Sequence, residues 1–205
     1  MNNIINPCFS IPIGKYYINP SKYKDLLDNV IKKTSIVEHP SINNGISCYN
    51  TELVENKGIN IDVFSNDELK SLKETIQSKI DDFTDKIGWE SAILKSSWFN
   101  IFKKGGSVNS HMHGNNYMSG SYYYKVPKKS EPFQIQNPIT SKYWNEDIPT
   151  DYNKEWVDIP VKDGSLVIFP SFLFHRVNSC NDISENEERI TFSFNCLAKS
   201  NYPNI

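Results

Sequence analysis

The chain has 205 residues and a mass of 23.6 kDa, a length that predicts a single domain over residues 1–205. Hydrophobic residues make up 38% and charged residues 22%, which supports a buried core and argues against disorder. Its 22 basic and 24 acidic residues nearly cancel, so the net charge of −2 does not favour binding to nucleic acid. The four cysteines lack the spacing of a disulfide scaffold or a zinc site. No apolar run suits a membrane helix and no secretory signal is recognisable, so we expect a cytoplasmic protein without membrane partners.

The first residues with a clear pattern predict a strand followed by a helix. The run SIPIGKYYI, residues 10–18, predicts a short strand with a turn at Gly14. Ser21 then opens a predicted helix, SKYKDLLDNVIKK, whose apolar side chains lie on one side.

A second and longer helix is predicted to begin at Ser65. The spacing of Ser65 and Glu68 is that of a capping box, and Gly88 predicts the end of the helix. Apolar residues at steps of three or four give it one hydrophobic face. They are Leu69, Leu72, Ile76, Ile80, Phe83 and Ile87. We interpret the helical layer, over about residues 20–90, as a structural support packed on a sheet.

From Trp98 onward the pattern changes to that of short β-strands. The segments are rich in aromatic and β-branched residues and end at Gly, Pro or Asn. They are WFNIFKK, SGSYYYKVP, EPFQIQNP, SLVIFPS and ITFSFNCL. Short strands that follow a small helical layer predict a mainly β sandwich or barrel flanked by helices.

The segment over residues 139–156 has no clear period, and we predict a long surface loop there. Its aromatic side chains either stack on a substrate or anchor the loop to the barrel. They are Tyr143, Trp144, Tyr152 and Trp156.

Three of the four histidines form a pattern that is typical of a metal site. His111 and His113 are an HxH pair, and their imidazoles point to one side if the backbone there is extended. His175 follows the strand SLVIFPS, and a barrel brings such distant positions together. Taken singly, each histidine also has an ordinary structural explanation, and we interpret His39 as a loop residue.

Arg189 opens the last predicted strand, RITFSFN, and Thr191 lies two residues later on the same side. If the strand turns Arg189 into a barrel, the buried cation requires an anion, and the guanidinium geometry suits a carboxylate. Thr191 then adds a hydroxyl donor. The alternative is an exposed arginine with a packed stem.

The order of these motifs, HxH, SGSYYYKVP, DGSLVIFPSFLFHRV and RITFSFN, resembles the Fe(II)/2-oxoglutarate oxygenases. The resemblance covers roughly residues 98–197 and implies a double-stranded β-helix, or jelly-roll, core over about residues 97–198. It matches His111 and His175 to the metal-binding histidines of that family. It matches Arg189 to the residue that pairs with the far carboxylate of 2-oxoglutarate, with Thr191 as a helper hydroxyl. The implied cofactors are Fe(II), 2-oxoglutarate and O2.

The resemblance also suggests further contacts to 2-oxoglutarate. Tyr122 and Tyr124 alternate on the strand after the HxH pair, and one of them is expected to reach the co-substrate through its hydroxyl. Tyr123 is expected to point the other way. Asn100 is a further candidate for the same pocket, with an ordinary strand-edge role as the alternative.

The third ligand position departs from the family pattern. The wider superfamily has a carboxylate two residues after the first histidine, whereas this chain has His113. Three-histidine iron sites occur in related cupin dioxygenases, so we predict that His113 is a ligand. The alternatives are a supporting role for His113 beside an open metal position, a metal other than iron, or Asn115 as an oxygen ligand.

The resemblance implies hydroxylation of an unactivated C–H bond in an unidentified small-molecule or peptidyl substrate, with release of succinate and carbon dioxide. Two other functions stay open on the residues alone. One is a cupin-type three-histidine metalloenzyme that does not use 2-oxoglutarate, including a zinc site that polarises water. The other is a jelly-roll binding module without catalysis.

Overall fold

The structure of the chain is a computed structural model that describes residues 10–39, 41–49, 62–139, 148, 150 and 153–201. The α-helices in this part are α1, Lys24–Lys33, and α2, Lys70–Ile87. The first strands are β1, Gly14–Tyr17; β2, Val37–Glu38; β3, Ile42–Ser47; β4, Ala92–His111; and β5, Met118–Lys125. The others are β6, Phe133–Gln136; β7, Trp156–Ile159; β8, Ser165–Pro170; β9, His175–Val177; and β10, Arg189–Ala198. Among these residues no helix combines the length and the apolar character that crossing a membrane requires.

The beginning of the chain differs in detail from the prediction. Gly14 is the first residue of β1, where it pairs with Ile168 of β8, so the turn predicted at Gly14 is wrong. The first helix is confirmed, but a 3-10 turn, Pro20–Lys22, precedes it. The side chain of Asn19 caps that turn and accepts a hydrogen bond of 3.1 Å from the backbone N–H of Ser21.

The second helix has the predicted hydrophobic face but a different start. The capping box is wrong, because Ser65 lies in a 3-10 turn and its hydroxyl donates to the backbone oxygen of Asp62 at 2.6 Å. Asn66 supplies the local cap instead, since its side-chain oxygen accepts a 2.9 Å hydrogen bond from the backbone N–H of Glu68. The carboxylate of Glu68 forms a 2.8 Å ion pair with Lys33 of α1. The helix ends as predicted at Gly88, whose φ of 69° lies in the left-handed region that favours glycine.

The sheet is antiparallel, and its strand order is β1-β8-β5-β10-β4-β9-β6-β7, with β3 on β4 and β2 on β3. β4 belongs to both walls of the fold, one formed with β1, β8, β5 and β10 and the other with β9, β6 and β7. One of its edges pairs first with β10 and then with β9, while β3 lies along the other edge. The sheet therefore curls around β4, and the predicted jelly-roll barrel backed by helices is confirmed.

Two hydrophobic clusters hold these layers together. The larger cluster joins both helices to the outer face of β5, β8 and β10, and includes Leu27, Ile76, Tyr122 and Phe192. The smaller one lies within the barrel and includes Phe133 and Phe169 with their neighbours on β6, β8 and β9. The helices therefore support the barrel from outside and leave its interior to the site.

Ile80 tests this supporting role, since it is fully buried on the apolar face of α2. We expect Ile80→Ala to lower the free energy of unfolding by about 2–5 kcal/mol, because the truncation leaves a cavity that the barrel cannot fill. Ser78→Ala, on the exposed side of α2, should change it by less than about 0.5 kcal/mol. Urea denaturation measures both, and equal small effects would show that α2 is not a structural support.

Candidate functional site

A cavity of about 390 Å³ opens inside the barrel, a volume suited to a small ligand. It brings together six of the eight predicted site residues. These are His111, His113, His175, Arg189, Thr191 and Asn100. Tyr122 and Tyr124 do not line it.

The three histidines meet at one end of the cavity. His111 is the last residue of β4, His175 is the first residue of β9, and His113 lies two residues beyond the end of β4. One ligand nitrogen from each ring lies within 4.8 Å of those of the other two. The ring centroids are 4.3 Å apart for His111 and His175, and 5.1 Å from each of them to His113. Three imidazoles at these distances suit a single metal ion.

An irregularity in β4 makes this meeting possible. Val108 pairs with Val177 and His111 pairs with His175, so three steps along β4 match two steps along β9. The extra residue is a β-bulge, which changes the face that the following side chains present. Without the bulge, His111 and Val108 would lie on opposite faces, whereas both line the cavity.

The backbone selects which nitrogen His111 and His175 offer to a metal. The Nδ1 of His111 lies 2.8 Å from the carbonyl oxygen of Asn109, and the Nδ1 of His175 lies 3.0 Å from that of Leu173. A carbonyl oxygen only accepts hydrogen bonds, so each Nδ1 carries the proton in the neutral ring. Nε2 is then the free ligand atom in both residues.

Side chains of neighbouring strands hold the third histidine. The Nδ1 of His113 lies 2.8 Å from the Oδ1 of Asn195, and that oxygen also accepts from the hydroxyl of Ser119 at 2.7 Å. The ring stacks on Trp98 with a centroid distance of 5.5 Å and an interplanar angle of 15°. Although His113 lies outside any strand, its ring is therefore fixed in plane and orientation.

Burial keeps all three rings neutral at physiological pH. The pKa of His113 falls to about 4, chiefly through burial and also through the neighbouring His111, while the bond to Asn195 opposes the fall. Burial likewise lowers the pKa of His111, and it lowers that of His175 well below the ordinary value. Neutral imidazole is the form that binds metal, so protons compete little with a cation here.

Arg189 is fully buried and lies on the same inward face of β10 as Thr191 and Asn195. Its Nη1 donates to the Ser130 hydroxyl at 2.9 Å and to the backbone oxygen of Glu131. Within the described part of the chain, Nε and Nη2 have no hydrogen-bond partner. A buried guanidinium with two unsatisfied N–H groups is costly unless an anion pairs with it.

The tyrosine beside this arginine is Tyr123 rather than Tyr122 or Tyr124. The guanidinium carbon of Arg189 lies 5.4 Å from the centre of the Tyr123 ring. Burial raises the pKa of Tyr123 to about 12, although Arg189 opposes the rise, so the phenol stays protonated. Tyr123 pairs with Thr191, which pairs in turn with Asn100 on β4, and the three form one row across the cavity floor.

The predicted orientation of the three tyrosines on β5 is therefore wrong. Tyr122 and Tyr124 are buried in the cluster beneath the helices, where the hydroxyl of Tyr124 bonds with a carboxylate oxygen of Asp28 at 2.9 Å. The alternation of side chains along β5 indicates which tyrosine faces the cavity. Ser119 and Ser121 have the same parity as Tyr123 and share the cavity-facing side of β5.

In the part of the chain that the structure describes, no aspartate or glutamate lines the cavity. The candidate metal ligands there are histidines alone, so the third position has no carboxylate. Asn115, the alternative oxygen ligand, lies exposed at the margin of the cavity.

The fourth histidine also lines the cavity, which the sequence did not indicate. His39 lies in a loop, as predicted, with its ring centroid 5.5 Å from that of Tyr49. Tyr49 lies 5.4 Å from Trp98, which stacks on His113. These rings form an aromatic wall that leads from the histidine cluster towards the outside. The wall depends on the pairing of β3 with β4, which has no signal in the local sequence.

Most of the predicted long loop, including Tyr143, Trp144 and Tyr152, lies outside the described residues. Trp156 is the first residue of β7, where the guanidinium carbon of Arg176 lies 3.9 Å from its ring centre. Trp156 therefore anchors β7 through a cation–π contact.

The fold and the histidine cluster define a jelly-roll protein with a candidate metal centre. Residues 96–195 match the family model described as "Putative 2OG-Fe(II) oxygenase". This segment includes the three clustered histidines and Arg189. The barrel of the chain thus matches the 2OG-Fe(II) oxygenase family, and the resemblance stated from the motifs is confirmed.

Solved structures of this type share the fold at low sequence identity. A Pseudomonas putida prolyl-4-hydroxylase is 10% identical, with 92% of this chain and 94% of that chain covered and a TM-score of 0.57. HygX from Streptomyces hygroscopicus, with nickel and 2-oxoglutarate bound, is 11% identical, with 92% and 83% covered and a TM-score of 0.57. A Trichoplax adhaerens prolyl hydroxylase in complex with a hypoxia inducible factor peptide fragment is 13% identical, with 91% and 84% covered and a TM-score of 0.57. No curated protein sequence matches the chain.

The lowered pKa of His113 predicts how the metal-free protein responds to acid. The ordinary histidine pKa is 6.5 and that of folded His113 is about 4. Below pH 6.5, His113 therefore binds a proton in the unfolded chain while it stays neutral in the folded chain. The free energy of unfolding consequently falls as the pH falls. We expect His113 alone to contribute a loss of roughly 2 kcal/mol between pH 7 and pH 5. Denaturant unfolding in chelator measures it, with His113→Gln as the comparison. An identical pH dependence in both proteins would contradict the assignment.

Proposed function

We propose that the chain is an Fe(II)- and 2-oxoglutarate-dependent oxygenase that hydroxylates an unactivated C–H bond of a small-molecule or peptidyl substrate. Succinate and carbon dioxide are the other products. The observation that carries the proposal is the pairing, in one cavity, of three convergent neutral imidazoles with a buried arginine that has two unpaired N–H groups.

In this proposal, His111, His113 and His175 hold the iron through their Nε2 atoms. The ligand atoms suit the metal, because imidazole nitrogen is a common ligand of divalent iron. When bound, iron and 2-oxoglutarate supply the oxidising chemistry, and the protein supplies position and charge.

Arg189 binds the far carboxylate of 2-oxoglutarate through Nε and Nη2. Ser130 and the Glu131 backbone oxygen occupy Nη1 and fix the plane of the guanidinium before the co-substrate arrives. Tyr123 and Thr191 present hydroxyls beside the same position. The polar face of β10 runs from this position towards the three histidines, which would hold the metal.

Charge favours the dianion in this cavity. The imidazoles are neutral and no acidic side chain lines the cavity in the described residues, so the protein itself does not compensate the 2+ charge of the metal. The two carboxylates of 2-oxoglutarate offset two of the three positive charges of the metal and Arg189. The co-substrate is therefore part of the charge balance as well as a reactant.

The substrate approaches along the aromatic wall of His39, Tyr49 and Trp98. These rings line the side of the cavity next to His113 and away from Arg189. They exclude water from the reacting group and present flat apolar surface to it.

The all-histidine ligand set also supports a second candidate function, a cupin-type three-histidine metalloenzyme that does not use 2-oxoglutarate. The unpaired nitrogens of Arg189 favour the first proposal, since a metalloenzyme without an anionic co-substrate leaves them unsatisfied.

Arg189→Ala tests the role of the guanidinium. The loss of a buried, charge-assisted contact costs about 2–5 kcal/mol, so we expect 2-oxoglutarate to bind at least about 30-fold more weakly. Calorimetric titration of the cobalt(II)-loaded protein measures affinity, and succinate formation with iron(II) measures turnover. His175→Ala should abolish succinate formation.

Arg176→Ala is the control, because Arg176 is the only other arginine of the chain. It also borders the cavity, but its guanidinium packs on Trp156 and its Nε donates to Gln134 at 2.8 Å. Wild-type affinity is expected for it. If the metal-loaded wild-type protein gives no heat with 2-oxoglutarate, the result contradicts the first proposal and favours the second candidate function.

Two neighbouring tyrosines give a finer test of the floor of the cavity. Tyr123→Phe should weaken 2-oxoglutarate binding by up to about tenfold, because one hydrogen bond near the ligand is lost. Tyr124→Phe should leave binding unchanged and lower stability by about 1 kcal/mol, because its hydroxyl bonds with Asp28 on the other face. Titration and urea denaturation measure the two effects, and the reverse result would contradict the orientation of β5.

A further inference from the structure

The third histidine, His113, is held in a different way from the other two. His111 and His175 lie on paired strands, and backbone carbonyls fix their rings. His113 lies beyond the end of β4, and the family pattern has a carboxylate in its place. A histidine there must be held by side chains that the rest of the fold supplies.

The backbone of His113 is held by Ser171, the first residue after β8. The N–H of His113 donates to the carbonyl oxygen of Ser171 at 2.9 Å. The hydroxyl of Ser171 lies 2.7 Å from that of Ser119, and both residues are buried. The fixed position of His113 therefore depends on β8 as well as on β4.

Asn195 of β10 holds the ring. Its Oδ1 lies 2.8 Å from the Nδ1 of His113 and accepts from the Ser119 hydroxyl at 2.7 Å. Because Ser119 donates its one proton to Asn195, it accepts from Ser171, so the donors run in one direction from Ser171 to Ser119 to Asn195. The amide then presents oxygen to His113, which places the ring proton on Nδ1.

We propose that Asn195 is a positioning residue that makes His113 a metal ligand by fixing its Nδ1–H tautomer, with Ser119 and Ser171 orienting the amide. The inference rests on the proposed function, because it concerns the same metal site. A flipped amide would donate to Nδ1 and leave the proton on Nε2, where no cation can bind. Trp98 stacks on the ring and limits its rotation. This network supplies the third ligand where the family pattern has a carboxylate.

Cobalt(II) affinity of the whole protein tests the proposal without reference to turnover. Loss of a hydrogen-bond partner behind a metal ligand typically costs 10- to 100-fold in metal affinity, and we expect that range for Asn195→Leu. Asn195→Asp keeps an acceptor facing Nδ1 and should bind cobalt(II) at least as tightly as the wild-type protein. A merely structural role for the amide would not predict this difference between the two variants.

Ser193→Ala is the control for changes on the same strand. Ser193 is two residues from Asn195 on the same face, and its hydroxyl lies 2.9 Å from that of Ser121 rather than near a histidine. Its cobalt(II) affinity should equal that of the wild-type protein. If Asn195→Leu also binds within threefold of wild type, the proposal is overturned while the proposed function stands. If the wild-type protein itself does not bind cobalt(II), the proposed function fails with it.

A measurement on the wild-type protein keeps the proposal testable if Asn195→Leu does not fold. Nitrogen-15 NMR of the zinc(II)-loaded protein distinguishes protonated, free and metal-bound imidazole nitrogens. We expect His113 to carry its proton on Nδ1 and the metal on Nε2. A proton on Nε2 of His113 would overturn the proposal, whatever the state of the other two histidines.

Discussion

The site depends on one extra residue in β4, between Val108 and His111. This bulge places His111 opposite His175 and on the cavity side of a strand that belongs to both walls of the barrel. The candidate metal site and the closure of the barrel thus share the same backbone hydrogen bonds. Because the three candidate ligands come from the two walls and the loop that follows β4, a metal bound there would cross-link the fold, and its binding energy would add to stability.

Charge explains why the cavity suits a metal together with an anionic co-substrate. Burial keeps the imidazoles neutral. Arg189 has no acidic partner among the described residues that line the cavity. The folded chain therefore has unpaired positive charge in a region from which water is largely excluded, and this costs stability until a dianion binds. In the proposed function, co-substrate binding and protein stability are linked through Arg189, and a carboxylate ligand at the third position would change this charge balance.

The sequence predicted the elements whose pattern is local and strongly periodic. The apolar face of α2 and its end at Gly88 are confirmed because helix periodicity and a left-handed glycine need no distant partner. The capping box failed because the next residue, Asn66, supplies the cap, and because the carboxylate of Glu68 pairs with Lys33, which only the tertiary structure brings near. The orientation of the tyrosines in β5 failed for a related reason. Alternation shows which residues share a face, but the face that opposes the helices is decided by packing.

By itself, the sequence determined the types of candidate ligand and their order along the chain. It also determined the alternation that separates the polar face of β10 from its apolar face. Histidine spacing and a strand arginine were enough to suggest a metal and an anion in one barrel. Only the tertiary structure decided that His39 lines the same cavity, that Tyr123 rather than Tyr122 accompanies Arg189, and that Asn195 holds His113. Each of these contacts depends on strand register and on residues that are far apart in the sequence. No local pattern encodes either of them.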